Sequence, residues 1–166
     1  MANFKKMSFK KGELNKNLAD LFKGLIEKGV VDALLAPMAQ PKKGVMQTLV
    51  TDASHTGAID PFAPVVPVNG AKIASSITTT PSGRKIAMVL RSCEIRALIE
   101  LGKLKLANFD DVLLIGIDCL GRYENLDFLA LREQGETSES FLEKALAGDT
   151  QKNDTDISPA CRICEY

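Results

Sequence analysis

The chain carries one histidine, His55, and that scarcity removes several chemistries at once. With a single imidazole, set in a loose proline-punctuated stretch, no Ser-His-Asp or Cys-His pair can be read from the sequence. Phosphate-binding signatures are missing too: no G-x-G-x-x-G follows an apolar strand, and G-x-x-x-x-G-K-[ST] does not occur. Neither sign of charge is in excess, since Lys plus Arg and Asp plus Glu each total 21. A chain without surplus positive charge has little to neutralise a nucleic-acid backbone or an anionic lipid surface, so no nucleic-acid partner is expected. Lys5, Lys6, Lys10 and Lys11 accordingly read as solvated surface charge. No run of about 18 apolar residues marks a membrane span. The N-terminal MANFKKMSFKKGELNKNL lacks the apolar core of a signal peptide, and a cytoplasmic, reducing setting is expected. Internal repeats and low-complexity tracts are absent.

What is present fits one ordinary domain. The 166 residues are 45% hydrophobic and 25% charged, enough to build a single buried core. Leu14, Leu18, Leu21, Phe22, Leu25 and Ile26 recur at helical spacing, and Gly29 follows where a helix end needs a left-handed residue; a helix is predicted over 13–28. VVDALLA (30–36) and GVMQTLVTD (44–52) read as two strands separated by Pro37, Pro41 and a Lys-Lys-Gly turn. Residues 53–83 hold Pro61, Pro64, Pro67 and Pro81 and read as a long loop broken by a short helix at 71–77. Loops of that length in compact domains are often functional, with a plain connector as the alternative.

The second half is clearer. RKIAMVL (84–90) reads as a buried strand, CEIRALIELGKLKL (93–106) as a helix and DVLLIGID (111–118) as another buried strand. Such a unit places its two strands parallel with a right-handed crossover. A capping box at Ser140-Phe-Leu-Glu143 predicts a short helix ending near Gly148. GDTQKNDTDISPA then reads as a connector to a tail that closes on CRICEY. The expected fold is α/β, a partly parallel sheet with flanking helices and a cysteine-rich C-terminal tail. Residues 1–148 form the α/β domain, and 149–166 are a connector and tail belonging to the same site.

In a reducing compartment four cysteines, Cys93, Cys119, Cys161 and Cys164, argue against a disulfide framework and towards metal binding or redox chemistry, and four is the ligand count of a closed tetrathiolate site. Cys93 and Cys119 each follow the C-terminal end of a parallel strand, so both emerge on one sheet edge. Neighbouring strands lie roughly 4.8 Å apart, which lets the two thiols share a site, and open parallel sheets bind ligands along that edge. Cys93 also starts a helix, whose free N–H groups and dipole ease thiolate formation. Cys161 and Cys164 form a two-point clamp from one turn of chain. Together they make a tetrathiolate site. The plainer reading treats each strand-end cysteine as a small buried hydrophobe, and one Cys-x-x-Cys is shared by zinc sites and dithiol switches. Zinc domains commonly use two matched clamps and this chain has one, whereas iron-sulfur clusters accept thiolates spread along a sequence; iron-sulfur ranks first and zinc second. Arg91 and Arg96 flank Cys93, positioned to balance a cluster or an anionic cofactor, with solvated or surface-paired side chains as the alternative.

At VLRSCEIRALIEL, DVLLIGIDCLG and CRICEY the chain resembles the beta-subunit family of coenzyme F-420-reducing hydrogenases and dehydrogenases, which includes formate dehydrogenase beta subunits. The resemblance runs over roughly residues 14–166. It implies that Cys93, Cys119, Cys161 and Cys164 are ligands of a 4Fe-4S cluster that moves single electrons between a flavin (FAD) and other subunits of an oxidoreductase. In such proteins the flavin exchanges a hydride with the deazaflavin coenzyme or serves other acceptors. The family's Ser-Gly-Gly segment near the first helix is missing, since GELNKNLADLFKG has no adjacent glycines. Family members also continue past the Cys-x-x-Cys, so the chain is expected to be the N-terminal portion of such a subunit or one completed by another polypeptide. The competing expectation is a non-enzymatic assembly or scaffold module with structural zinc or no metal.

Overall fold

The computed structural model describes residues 12–41, 44–148 and 157–165. The lysines at 5–11, the Lys-Lys pair at 42–43 and the connector residues 149–156 lie outside the described residues.

Four strands form one sheet in the order β2-β1-β3-β4. β1 (Ala33–Gln40) and β2 (Gly44–Val50) are an antiparallel hairpin, whereas β3 (Ile86–Arg91) runs parallel to β1 and β4 (Val112–Ile117) parallel to β3. The expected strand-helix-strand unit is thus present, with α3 (Ser92–Lys103) between the parallel pair. Period-two alternation sorts the side chains. Leu34, Ala36, Ala87 and Val89 face α1 (Leu14–Glu27) through Phe22, while Leu35, Met88 and Leu90 face α2 (Gly70–Thr78) and α3 through Ala74 and Leu98. α1 ends as the sequence indicates, with Gly29 at φ +65°, a conformation in which a side chain would be strained.

Several expectations need correction. β1 starts at Ala33 and runs through Pro37, which the sequence reading placed in a turn. Pro37 lies opposite Gln47 of β2 but beyond the last β1–β3 pair, Leu35 with Met88, so its missing N–H leaves no bond unmade on that side. β4 is not buried: it is an edge strand whose Leu113 and Leu114 remain 43% and 36% exposed. The short helix α5 (Ser138–Leu146) is capped by Thr137 and Ser140, which exchange hydrogen bonds of 2.8 Å and 3.0 Å, and not by Ser140 and Glu143. A helix α4 (Asn125–Glu133) precedes it.

The stretch after β2 is not loose. A 3-10 turn at Ala53–Ala58 packs beside α1, and Ile59, Ala63 and Val65 are buried. Ala63 and Val65 join Val45, Tyr123, Phe128, Leu131 and Phe141 in a third apolar cluster, with Tyr123 and Phe141 edge to face at 5.4 Å. This cluster attaches α4 and α5 to the C-terminal end of the sheet, where all four cysteines lie.

Candidate metal centre

β3 ends at Arg91 and α3 begins at Ser92, so Cys93 occupies the first turn of that helix. β4 ends at Ile117, two residues before Cys119. The tail returns to the same edge: Ile157 joins the third apolar cluster, Ser158 is buried, and a four-residue helix α6 (Pro159–Arg162) carries Cys161. Gly121 makes this return possible. Its φ of +106° suits glycine, and a Cβ there would stand 3.3 Å from Ile157. Ser92, Cys93, Cys119, Leu120, Gly121, Cys161 and Cys164 line one open cleft of about 240 Å³. All four thiols are free; Cys93 and Cys164 are exposed, Cys119 and Cys161 half-buried.

Among the described residues, no three His, Cys, Asp or Glu side chains gather closely enough around one point to hold a lone metal ion. All four thiols nonetheless line the same cleft. Four thiols on one cleft are a donor set that either a tetrahedral metal ion or an iron-sulfur cluster takes.

No protein-family model matches the chain. The chain is 33% identical over 116 residues to F-420-dependent formate dehydrogenase 1 subunit beta of Methanococcus maripaludis, a match covering 67% of the chain and 28% of that relative. To F-420-dependent formate dehydrogenase subunit beta of Methanocaldococcus jannaschii it is 29% identical over 102 residues, 61% of the chain and 26% of the relative. It belongs to the coenzyme F-420 hydrogenase and dehydrogenase beta-subunit family. The matches span about a quarter of the length of these relatives.

Within this family member, electrostatics at Cys93 run against the expectation of an easily formed thiolate. Although the residue opens on the cleft, the protein around it strips water from the sulfur and pushes its thiol above the ordinary range. The Glu94 carboxylate and Cys119 push the same way, and Arg91 opposes them. Desolvation and a like charge outweigh the helix N-terminus; a coordinated cation would reverse the balance, since a coordinating thiol is deprotonated outright.

Arg91 is not a surface cation. It is 4% exposed, with Nη2 donating to the carbonyls of Ala63 at 2.6 Å and Val65 at 3.3 Å. Glu94, passed over in the sequence, is 2% exposed and accepts the N–H groups of Gly70 at 2.7 Å and Arg91 at 3.0 Å, with Arg91 Nη1 3.9 Å away. The Arg-x-x-Glu spacing across a strand end was the available signal, because a carboxylate at the third helical position can reach back to the residue that caps it. Arg96 is exposed on α3, and His55 sits in the 3-10 turn beside α1.

Proposed function

We propose that this chain is an iron-sulfur electron-transfer subunit, or the N-terminal part of one, in an oxidoreductase of the coenzyme F-420 hydrogenase and formate dehydrogenase type. Cys93, Cys119, Cys161 and Cys164 are the ligands we assign to one 4Fe-4S cluster. The observation that carries the reading is the cleft itself: four cysteines from three separate stretches of chain line one space. Supporting it, two relatives, matched over 116 and 102 residues, are named F-420-dependent formate dehydrogenase beta subunits. When bound, such a cluster supplies one-electron transfer at a potential set by hydrogen bonds and exposure around the sulfurs.

The chain's own part is to hold four thiolates and to control water at their edge. Leu120 lies beside Cys119, whose thiol faces the Gly121 carbonyl at 3.9 Å, while Cys93 and Cys164 stay open to solvent. This asymmetry leaves one side of the cleft facing outward, toward a partner subunit or an electron carrier. No proton-transferring side chain is required. We assign FAD to no residue of this chain. Among the described residues, no helix is long and apolar enough to cross a membrane.

Anaerobic reconstitution with iron and sulfide tests the assignment. The expected product is brown and holds about four irons per chain, and Cys161→Ser combined with Cys164→Ser removes most of that iron. Stoichiometric zinc without iron in protein purified anaerobically would instead identify a structural-zinc scaffold and overturn the proposal.

A further inference from the structure

The three cysteine-bearing stretches are tied together by contacts in which no cysteine side chain takes part. Residues 63–65 are the common anchor. Their carbonyls accept from Arg91, two positions before Cys93, and the Pro64 carbonyl accepts the Tyr123 N–H at 2.7 Å, four positions after Cys119. One residue earlier, the Arg122 carbonyl accepts the Ser158 N–H at 2.7 Å, and the Ser158 carbonyl accepts the Cys161 N–H at 2.8 Å. The Ser158 hydroxyl also faces the exposed Glu124 carboxylate and helps to hold its pKa below the usual carboxylate range. From the other side, Glu94 fastens the start of α3 to the Gly70 N–H that opens α2. A continuous set of buried or half-buried bonds thus runs from the strand end at Cys93, through residues 63–65, to the loop after Cys119 and on to the tail.

We infer that Arg91, Glu94 and Ser158 are positioning residues that hold the three stretches around the cleft before any metal enters. The inference rests on the four-thiolate reading above. Its physical basis is entropic: thiols from distant parts of a chain bind weakly when binding must also order the backbone that carries them. Fixing that backbone beforehand leaves only side-chain rotation to be restrained. The tail therefore does not depend on a metal for its place; Ser158 is 2% exposed within protein contacts alone.

Ser158 offers a narrow test. Its φ of −48° and ψ of 137° lie close to the values proline adopts. Ser158→Pro therefore removes the tethering N–H and the hydroxyl with little backbone strain, and Ser158→Ala removes the hydroxyl alone. The full chain, metal-free and reduced, is titrated anaerobically with cobalt(II) and followed by its thiolate charge-transfer absorption, with amide hydrogen exchange recorded in parallel. Ser158→Pro is expected to weaken cobalt binding by about 10- to 100-fold, the usual effect of losing an outer support. It should also speed exchange at 161–164 while amides of β1 and β3 stay protected, and Ser158→Ala should do less. Glu94→Gln should weaken cobalt binding too. After iron and sulfide loading it should raise the reduction potential, because a negative charge beside Cys93 is lost; a role confined to folding would not move that potential.

Unchanged cobalt affinity in Ser158→Pro, with β1 and β3 still protected, overturns the positioning role and leaves the four-thiolate reading standing. If Ser158→Pro loses the β1 and β3 protection, Glu94→Gln decides alone, and wild-type affinity and potential there overturn the inference. Wild-type chain that leaves two or more of its cysteines open to alkylation at saturating cobalt sinks the four-thiolate reading and this inference with it.

Discussion

Two carboxylates withdrawn from water, the buried Glu94 and the half-buried Asp60, solve the same problem differently. Glu94 has backbone donors on both oxygens and a guanidinium nearby, whereas Asp60 accepts from Ser138 on one oxygen and has its other oxygen buried without a partner. Deleting one side of a buried charged network leaves the other uncompensated, at about 3–5 kcal/mol. Glu94→Ala is accordingly expected to cost about that much in urea unfolding, and Glu94→Gln to recover only part of it, because its amide NH2 must face one of the two backbone N–H donors that the carboxylate now accepts. Burial raises the Asp60 pKa, opposed by the Ser138 hydroxyl and by the charges of Arg132 and Arg91. A folded-state value above the unfolded one makes this side chain's contribution most favourable at low pH and progressively lost as pH rises through the raised value. The stability of Asp60→Asn relative to wild type should therefore grow as pH is taken upward from about 4. Urea midpoints of the two proteins measured in parallel across pH check this, and a constant difference would contradict it.

Elements differ in how openly the sequence declares them. α1 and α3 could be read because an apolar stripe recurs over three turns, and β3 because the five-residue apolar run 86–90 has a Pro-Ser-Gly turn before it and a helix after it. α4 was missed since its buried face is only Phe128 and Leu131, too sparse a stripe to stand out from a polar segment. The 3-10 turn at Ala53–Ala58 has no periodic signal either; Asp52 caps it by accepting the Ser54 N–H at 2.8 Å. Close approach of α2 to α3 depends on a residue whose role is visible only in three dimensions. A Cβ on Gly70 would stand 2.6 Å from Gln47 Nε2, 2.7 Å from Leu90 and 2.9 Å from Glu94 Oε1. Gly70→Ala is expected to destabilise the protein by about 1–3 kcal/mol as α2 is pushed from the sheet. Exchange of the Gly70-bonded region should quicken with it, and a neutral or stabilising result would contradict this packing.

For the whole molecule the most unusual surface is the β4 edge. VLLIGI has no charge, proline or bulge along its six pairs with β3, and Leu113 and Leu114, on opposite faces of the sheet, are both partly exposed. Soluble proteins normally blunt such an edge with charge or cover it. The isolated chain is therefore expected to self-associate as concentration rises, and Leu114→Lys should suppress this in light scattering or sedimentation without altering cobalt or iron binding at the cleft. Equal association by wild type and variant would assign the behaviour to another surface.

Patterning along the chain was sufficient for the α/β class, the parallel β3-β4 unit and the meeting of Cys93 with Cys119 at one edge, because side-chain periodicity and the ends of successive parallel strands are local or nearest-neighbour properties. The family, too, was legible in its cysteine-bearing segments, and relatives bear that out. Only the tertiary structure decided that Arg91 and Glu94 are buried, that residues 63–65 are an anchor and not a slack loop, that β4 is an edge, and that the tail reaches the cleft through Ser158 and Ile157. Each of these depends on which distant backbone carbonyl or apolar face a residue meets, and no repeat or spacing along the chain encodes that encounter.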